Sequence, residues 1–240
     1  MIRICMVGTG YVGLVSGACM ADFGNTVTCV DINRERIEKL ERGEIPFYEP
    51  GLDRLVLKNV REGRLQFSTS LADGMRDAEV VFIAVQTPMS ESGEADLQYV
   101  MKVGEQIGDL LDDYKVVVTK STVPVGTSRA LRKVIAARLK PGASFDMASN
   151  PEFLREGSSI EDFMRPDRVV IGVDSARAEE LLRAIYRPLY LLDTPVVKTG
   201  IETSELIKYA ANAFLAVKIS YINEVARLAE RVGADIFDIS

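Results

Sequence analysis

The sequence has no histidine, no tryptophan and only three cysteines in 240 residues. Without imidazole, Ser-His-Asp and Cys-His nucleophile pairs, His-Glu-x-x-His zinc sites and a histidine general base are all excluded. Chemistry must therefore run on carboxylates, lysine, hydroxyls, thiols or a bound cofactor. Cys5, Cys19 and Cys29 stand among apolar neighbours without a Cys-x-x-Cys pair, so neither a disulfide framework nor a metal site is expected. No apolar run approaches the ~20 residues of a membrane helix. Met1 leads directly into a strand-like segment without a basic leader, and the expected location is cytoplasmic. There is no basic run either. The 29 Lys+Arg are outnumbered by 35 Asp+Glu, for a net charge of -6, which argues against nucleic acid or an anionic membrane as partner. A small anionic ligand stays open, because backbone amides can bind one whatever the net charge.

Short Val- and Ile-rich runs alternate with longer amphipathic segments, the pattern of a parallel sheet wrapped by helices. Strands are expected at Ile2–Val7, Thr26–Val30, Leu65–Ser68, Val80–Val85, Val116–Thr119, Phe145–Ala148, Val169–Val173 and, weakly, near Pro195–Lys198. The helical patterns between them run over Tyr11–Phe23, Arg34–Glu41, Leu52–Glu62, Ser70–Met75, Leu97–Leu111, Thr127–Leu139 and Ala176–Arg187. The expected fold is α/β: a doubly wound, Rossmann-like, mostly parallel sheet over residues 1–199. Residues 200–240 begin a second, helical region. There Leu206, Ile207, Ala210, Phe214, Val217, Ile222, Val225, Leu228 and Ala229 repeat at near-helical period between Gly200 and Gly233. About thirty residues at ~1.5 Å each give a helix of roughly 45 Å, longer than a small domain is wide. Such a helix must cover a further domain or a second subunit.

Gly8, Gly10 and Gly13 form G-x-G-x-x-G, with Tyr11 and Val12 inside it, directly after the first strand and at the start of the first helix. That spacing permits a tight turn, close backbone approach to a pyrophosphate and close helix-strand packing, and the helix N-terminus offers unpaired amides. A second strand ends in Asp31, 18 positions after Gly13, where a carboxylate accepts bonds from ribose hydroxyls and repels a 2′-phosphate. The cofactor expected is NAD rather than NADP. Arg34 and Arg36 read as a solvated helix face or a pyrophosphate contact. No Tyr is followed four positions later by Lys, so the Tyr-x-x-x-Lys machinery of short-chain dehydrogenases is absent.

Beyond GTGYVG, the segments YEPGLD (48–53), VQTP (85–88), KSTVPVGT (120–127), SNPEFLREG (149–157), PDRVVIG (166–172) and ELIKYAANAFLAVKISYINE (205–224) resemble the nucleotide-sugar dehydrogenases, the UDP-glucose/GDP-mannose dehydrogenase family. The resemblance covers the whole chain. It implies oxidation of a sugar 6-hydroxyl by two NAD, as in UDP-glucose to UDP-glucuronate, through an aldehyde and a cysteine-bound thioester. It assigns Gly8, Gly10, Tyr11, Val12, Gly13, Asp31, Arg36, Thr87, Pro88, Ser121, Thr122 and Glu156 to the cofactor. It assigns Glu152, Phe153, Leu154, Arg155, Glu156, Lys208 and Asn212 to the nucleotide sugar. The catalytic set implied is Thr122, Glu152, Glu156, Lys208 and Asn212, with Glu152 as acid/base in thioester hydrolysis. Spacing supports part of this independently: Lys208 and Asn212 are i and i+4, so a helix presents ammonium and amide on one face, where they can stabilise an oxyanion. Glu152 and Glu156 are two carboxylates whose environments can separate their pKa values. Taken alone, both pairs also fit solvated polar surface.

The resembled family carries its nucleophile in a Gly-x-Cys-x-Pro-Lys-Asp segment beyond the long helix, and the sequence stops at Ser240 before such a segment. The expectation is an N-terminal portion without the catalytic cysteine or the C-terminal UDP-binding domain, inactive for full turnover and a homodimer through the 202–232 helix. GDP-mannose or UDP-N-acetyl-sugar oxidation, or a noncatalytic NAD-binding module, stand as alternatives.

Overall fold

The computed structural model describes residues 1–239. Eight strands form one sheet: β1 (Arg3–Val7), β2 (Thr26–Val30), β3 (Leu65–Ser68), β4 (Val80–Ile83), β5 (Tyr114–Thr119), β6 (Ser144–Ser149), β7 (Val169–Val173) and β8 (Val196–Thr199). Their order is β3-β2-β1-β4-β5-β6-β7-β8. Strand residues alternate between two cores, as a pleated sheet buried on both sides requires. Ile4, Met6, Val80 and Phe82 face one core, Cys5, Val7, Val81 and Ile83 the other. The first core is closed by α1 (Tyr11–Asp22), α2 (Arg34–Glu41), α3 (Leu52–Arg61), α7 (Ser159–Met164) and α8 (Ala176–Ile185). The second lies under α4 (Leu71–Arg76), α5 (Gln98–Leu110) and α6 (Thr127–Ala136).

All eight expected strands form, and the first six pair in parallel. β7 departs: it runs antiparallel to β6, and only Ala148↔Val173 and Ser149↔Gly172 pair. Because those are the final residues of both strands, β7 projects past the carboxyl end of β6, and β8 follows it in parallel. No long crossover helix returns the chain to the far edge after β6. The connection, residues 150–168, therefore stays over the carboxyl edge, where open α/β sheets bind ligands. Its one short helix, α7, is too brief to show a helical period. A 3-10 turn at Arg187–Leu192 had no clear signal either.

The long helix α9 (Ile201–Val232) has 32 residues, close to the range its periodicity gave. At ~1.5 Å per residue it is roughly 48 Å long. Gly233 closes it at φ 72°, a left-handed cap in which its N–H reaches the Ala229 carbonyl. Only Ile201, Ser204, Glu205, Lys208 and Ala229 are buried along its length. Among the described residues no helix is long and apolar enough to cross a membrane.

Candidate active site

The turn from β1 into α1 shows why the three glycines are needed. Gly8 has φ 105°, which side chains rarely adopt, and its N–H donates to the Val30 carbonyl at 2.7 Å. A Cβ on Gly13 would overlap the Gly8 carbonyl oxygen, so the third glycine closes the turn itself. That Cβ would also crowd Ala84 Cβ at 3.3 Å, and one turn on Gly17 extends the close helix-sheet approach, a Cβ there standing 2.6 Å from Cys29 Sγ. Gly10 is different: a Cβ there would meet no protein atom within 4 Å. The protein's own packing leaves that space open, and no side chain caps the first-turn amides of α1. An uncapped helix start facing open space beside glycine backbone fits a pyrophosphate.

Asp31, just past β2, accepts from Thr9 N at 2.9 Å, Thr9 Oγ1 at 2.8 Å and Arg36 at 3.1 Å, all on Oδ2. Among the described residues Oδ1 accepts only Asn33 N, at 2.9 Å. Burial alone would push the carboxyl up, but these donors hold it below its ordinary value. Oδ1 thus keeps acceptor capacity for a ribose hydroxyl. Arg36 is tied to Asp31 at that end of the seat.

Two loops beyond β4 and β5 line the same carboxyl edge. Thr87 Oγ1 donates to the Thr122 carbonyl at 3.0 Å, and Ser121 Oγ to the Val85 carbonyl at 2.5 Å, so the two loops hold one another. Pro88 is exposed, and its carbonyl accepts Asp96 N at 2.7 Å. Thr122 does not cap α6: that position belongs to Gly126, in the left-handed region at φ 91°.

Lys208 and Glu152 form an ion pair at 3.0 Å, with side chains 9% and 12% exposed. Glu152 also accepts Leu154 N at 2.6 Å, which fixes its own loop. Lys208 is placed by the turn before it, where α9 is bolted to the sheet. Ser204 Oγ bonds Ser149 Oγ at 3.0 Å, and buried Glu205 accepts Gly126 N at 2.7 Å and Ser128 N at 2.8 Å. Phe153 lies between two cations, its ring centre 5.2 Å from Lys208 Nζ and 5.3 Å from the Arg168 guanidinium. A cleft of about 640 Å³ opens here, lined by Phe153, Leu154, Arg155, Lys208, Asn212 and Phe214 among others.

Five of the seven expected sugar-side residues thus share one cleft, and Glu152 joins it through Lys208. Asn212 is exposed on the same helix, and the Arg155 guanidinium is engaged by Asp162 at 2.6 Å. Glu156 is exposed and stands apart from the cleft, on the dinucleotide side, where its charge is felt at the Tyr11 hydroxyl. Burial raises all three thiols, Cys5 to about 12, so none is a poised nucleophile.

Three residues that the motifs contained but no role singled out belong to this region: Lys120, Glu49 and Glu205. Lys120, 2% exposed, follows β5 and donates to Asn150 Oδ1 at 3.1 Å and to the Asn150 carbonyl at 3.3 Å. Burial lowers its pKa to about 8, with Glu152 opposing and Lys208 adding to that shift. The only signal was a lysine at the end of a valine run, where a buried cation is unexpected.

The model of the UDP-glucose/GDP-mannose dehydrogenase family NAD-binding domain matches residues 2–190, and that of the family's central domain residues 202–240. The chain belongs to this family. UDP-glucose 6-dehydrogenase of Rhizobium meliloti is 53% identical over 242 residues, covering 100% of this chain and 55% of that protein. UDP-glucose 6-dehydrogenase TuaD of Bacillus subtilis is 50% identical, with 100% and 51% covered. Among solved structures, a UDP-glucose dehydrogenase from Pyrobaculum islandicum superposes with a TM-score of 0.95 at 40% identity, covering 100% of this chain and 55% of that one. A GDP-mannose dehydrogenase from Pseudomonas aeruginosa also gives 0.95, at 34% identity, covering 99% and 55%. The chain spans about half the length of the relatives it matches. Its first 190 residues carry the family's NAD-binding domain.

Proposed function

We propose that this chain contributes the NAD seat and one wall of the sugar-nucleotide site of a UDP-glucose 6-dehydrogenase. The observation that carries the reading is the 3.0 Å Lys208–Glu152 pair, set over the carboxyl edge of an NAD-binding sheet. Bound NAD supplies the hydride acceptor. Gly8 to Gly13 and the start of α1 receive its pyrophosphate, Asp31 its ribose, and the Thr87, Pro88, Ser121 and Thr122 loops flank its reactive end. Lys208 holds positive charge where a C6 oxygen would develop negative charge, and Asn212 adds an amide donor one turn on. A single such donor is worth about 3–4 kcal/mol in comparable sites. Glu152, in contact with that ammonium, takes the role of acid/base in thioester hydrolysis. The cleft lining is charged with both signs, Arg165 and Arg168 beside Glu161, Asp162 and Asp167, and the two arginines are its candidates to meet a sugar nucleotide's phosphates.

UDP-glucose is favoured over GDP-mannose and UDP-N-acetyl sugars because the curated relatives that match at 50–53% identity bear that name. The outward stripe Phe214, Val217, Tyr221, Leu228 and Val232 on α9, each at least 60% exposed, supports a homodimer through the 202–232 helix. Residues 1–199 act as the dinucleotide unit and residues 200–240 begin the dimerising one. Calorimetric titration with NAD, NADP and UDP-glucose tests the reading. NAD is expected to bind at least about tenfold tighter than NADP, and Asp31→Asn to erase most of that preference. Lys208→Ala is expected to weaken UDP-glucose. A chain that binds neither dinucleotide overturns the assignment.

A further inference from the structure

We propose that Glu49 is a positioning residue that couples the dinucleotide seat to the Arg155–Ser159 turn through the Tyr11 hydroxyl. The proposal rests on the NAD reading above and adds a residue with no role in it so far. Glu49 lies between α2 and α3 and is only 5% exposed. Its Oε2 accepts Tyr11 Oη at 2.8 Å and Gly157 N at 2.8 Å, and its Oε1 accepts Ser159 N at 2.8 Å. Tyr11 Oη also lies 3.2 Å from the Arg155 carbonyl. One buried carboxylate thus joins the first residue of α1, next to Gly10, to the turn that carries Glu156 and continues the Glu152 loop.

The hydrogen bonds make Glu49 a link between two segments, not passive filling. Burying a carboxylate is costly unless donors surround it, and three donors from two separate segments do so here. They hold its pKa below the usual range against the effect of burial. The partner hydroxyl moves the opposite way: burial, with Glu49 adding to it, pushes Tyr11 up to about 12, so it remains a donor at neutral pH. Tyr11 is steadied by Phe47, with ring centres 5.2 Å apart. Gly157, at φ 88°, takes the left-handed conformation that glycine adopts freely, and that conformation presents its amide to Glu49. A ligand that orders the first turn of α1 fixes Tyr11, and through Glu49 fixes the turn; linkage makes the effect reciprocal.

Amide hydrogen exchange of the 240-residue chain, with and without saturating NAD, tests this. In the unaltered chain NAD should slow exchange at residues 155–159 by roughly tenfold or more. Tyr11→Phe removes the hydroxyl's bonds to Glu49 and to the exposed Arg155 carbonyl but leaves Glu49 on Gly157 and Ser159, and saturating NAD offsets any loss of affinity from a change beside the pyrophosphate turn. At saturating NAD it should show no slowing there, although its NAD-free rates stay near those of the parent. Glu49→Gln should exchange faster at 155–159 in both states and also lose the response. A purely structural role would change the rates but preserve the NAD-dependent difference. That difference retained in either variant, or absent from the parent with NAD bound, overturns the coupling alone. Calorimetry showing no NAD binding overturns the dinucleotide reading and the coupling with it.

Discussion

Lys120 illustrates how a single side chain can be set against its own fold. Its ammonium lies behind the Glu152 loop, 5.7 Å from the Phe163 ring centre, and among the described residues is hydrogen-bonded only to Asn150. Tyr186 Oη donates to the same Asn150 Oδ1 at 2.6 Å, and Asn150 Nδ2 donates to the Val170 carbonyl, so the asparagine locks β5, β7 and α8 together. With a pKa near 8 in the fold and about 10.4 in an unfolded chain, Lys120 binds fewer protons folded than unfolded over that interval. Stability from this group is therefore full above the unfolded value and lost as pH falls through the folded one. Relative to Lys120→Met, the parent chain should gain on the order of 1–3 kcal/mol between pH 7 and pH 10, read by chemical denaturation. A pH-independent difference would show that the lysine is not buried as described. The placement of Lys208 next to Glu152 was implied only by family motifs, since a Lys and a Glu 56 positions apart carry no mutual signal in one sequence.

Among the elements, α6 and α9 hold each other through the buried Glu205, beside the surface ion pair of Arg129 with Glu202. Glu205 accepts two amides at the start of α6, and Gly126 there has no side chain to cap with. Glu205→Ala leaves those amides without a partner and should cost about 1–3 kcal/mol, with faster amide exchange at Gly126 and Ser128. Unchanged exchange would show that water replaces the carboxylate freely. The elements themselves were legible because both periods were strong. Val- and Ile-rich runs gave the strands to within a residue or two, and the Gly200 and Gly233 punctuation bounded α9. What a single sequence does not carry is strand direction. Nothing in Val169–Val173 says that it runs against β6, because a strand buried on both faces reads the same either way. The long-range partners of Glu49, Lys120 and Glu205 were hidden for the same reason: each is fixed by tertiary register, not by local pattern.

At the scale of the whole molecule, α9 beyond Lys208 carries Phe214, Val217, Tyr221, Leu228 and Val232, all more than half exposed. A stripe at helical spacing over several turns is more apolar surface than a monomer usually shows. Sedimentation across micromolar concentrations should give a dimer, and the double variant Phe214→Glu, Tyr221→Glu a monomer with an unchanged NAD affinity. A monomeric parent would remove the helix from any role in self-association.

The contact between Gly17 and Cys29 has a practical outcome. All three thiols lie on β1, α1 and β2, each fully shielded, so a thiol reagent can reach them only when that half of the sheet opens. The cysteines are a built-in clock for that opening, blind to fraying of α9. At a free NAD concentration about 100 times its dissociation constant, binding contributes roughly 2.7 kcal/mol. Labelling under fast-reclosing conditions should slow by about 100-fold, giving a readout of cofactor occupancy that needs neither substrate nor turnover.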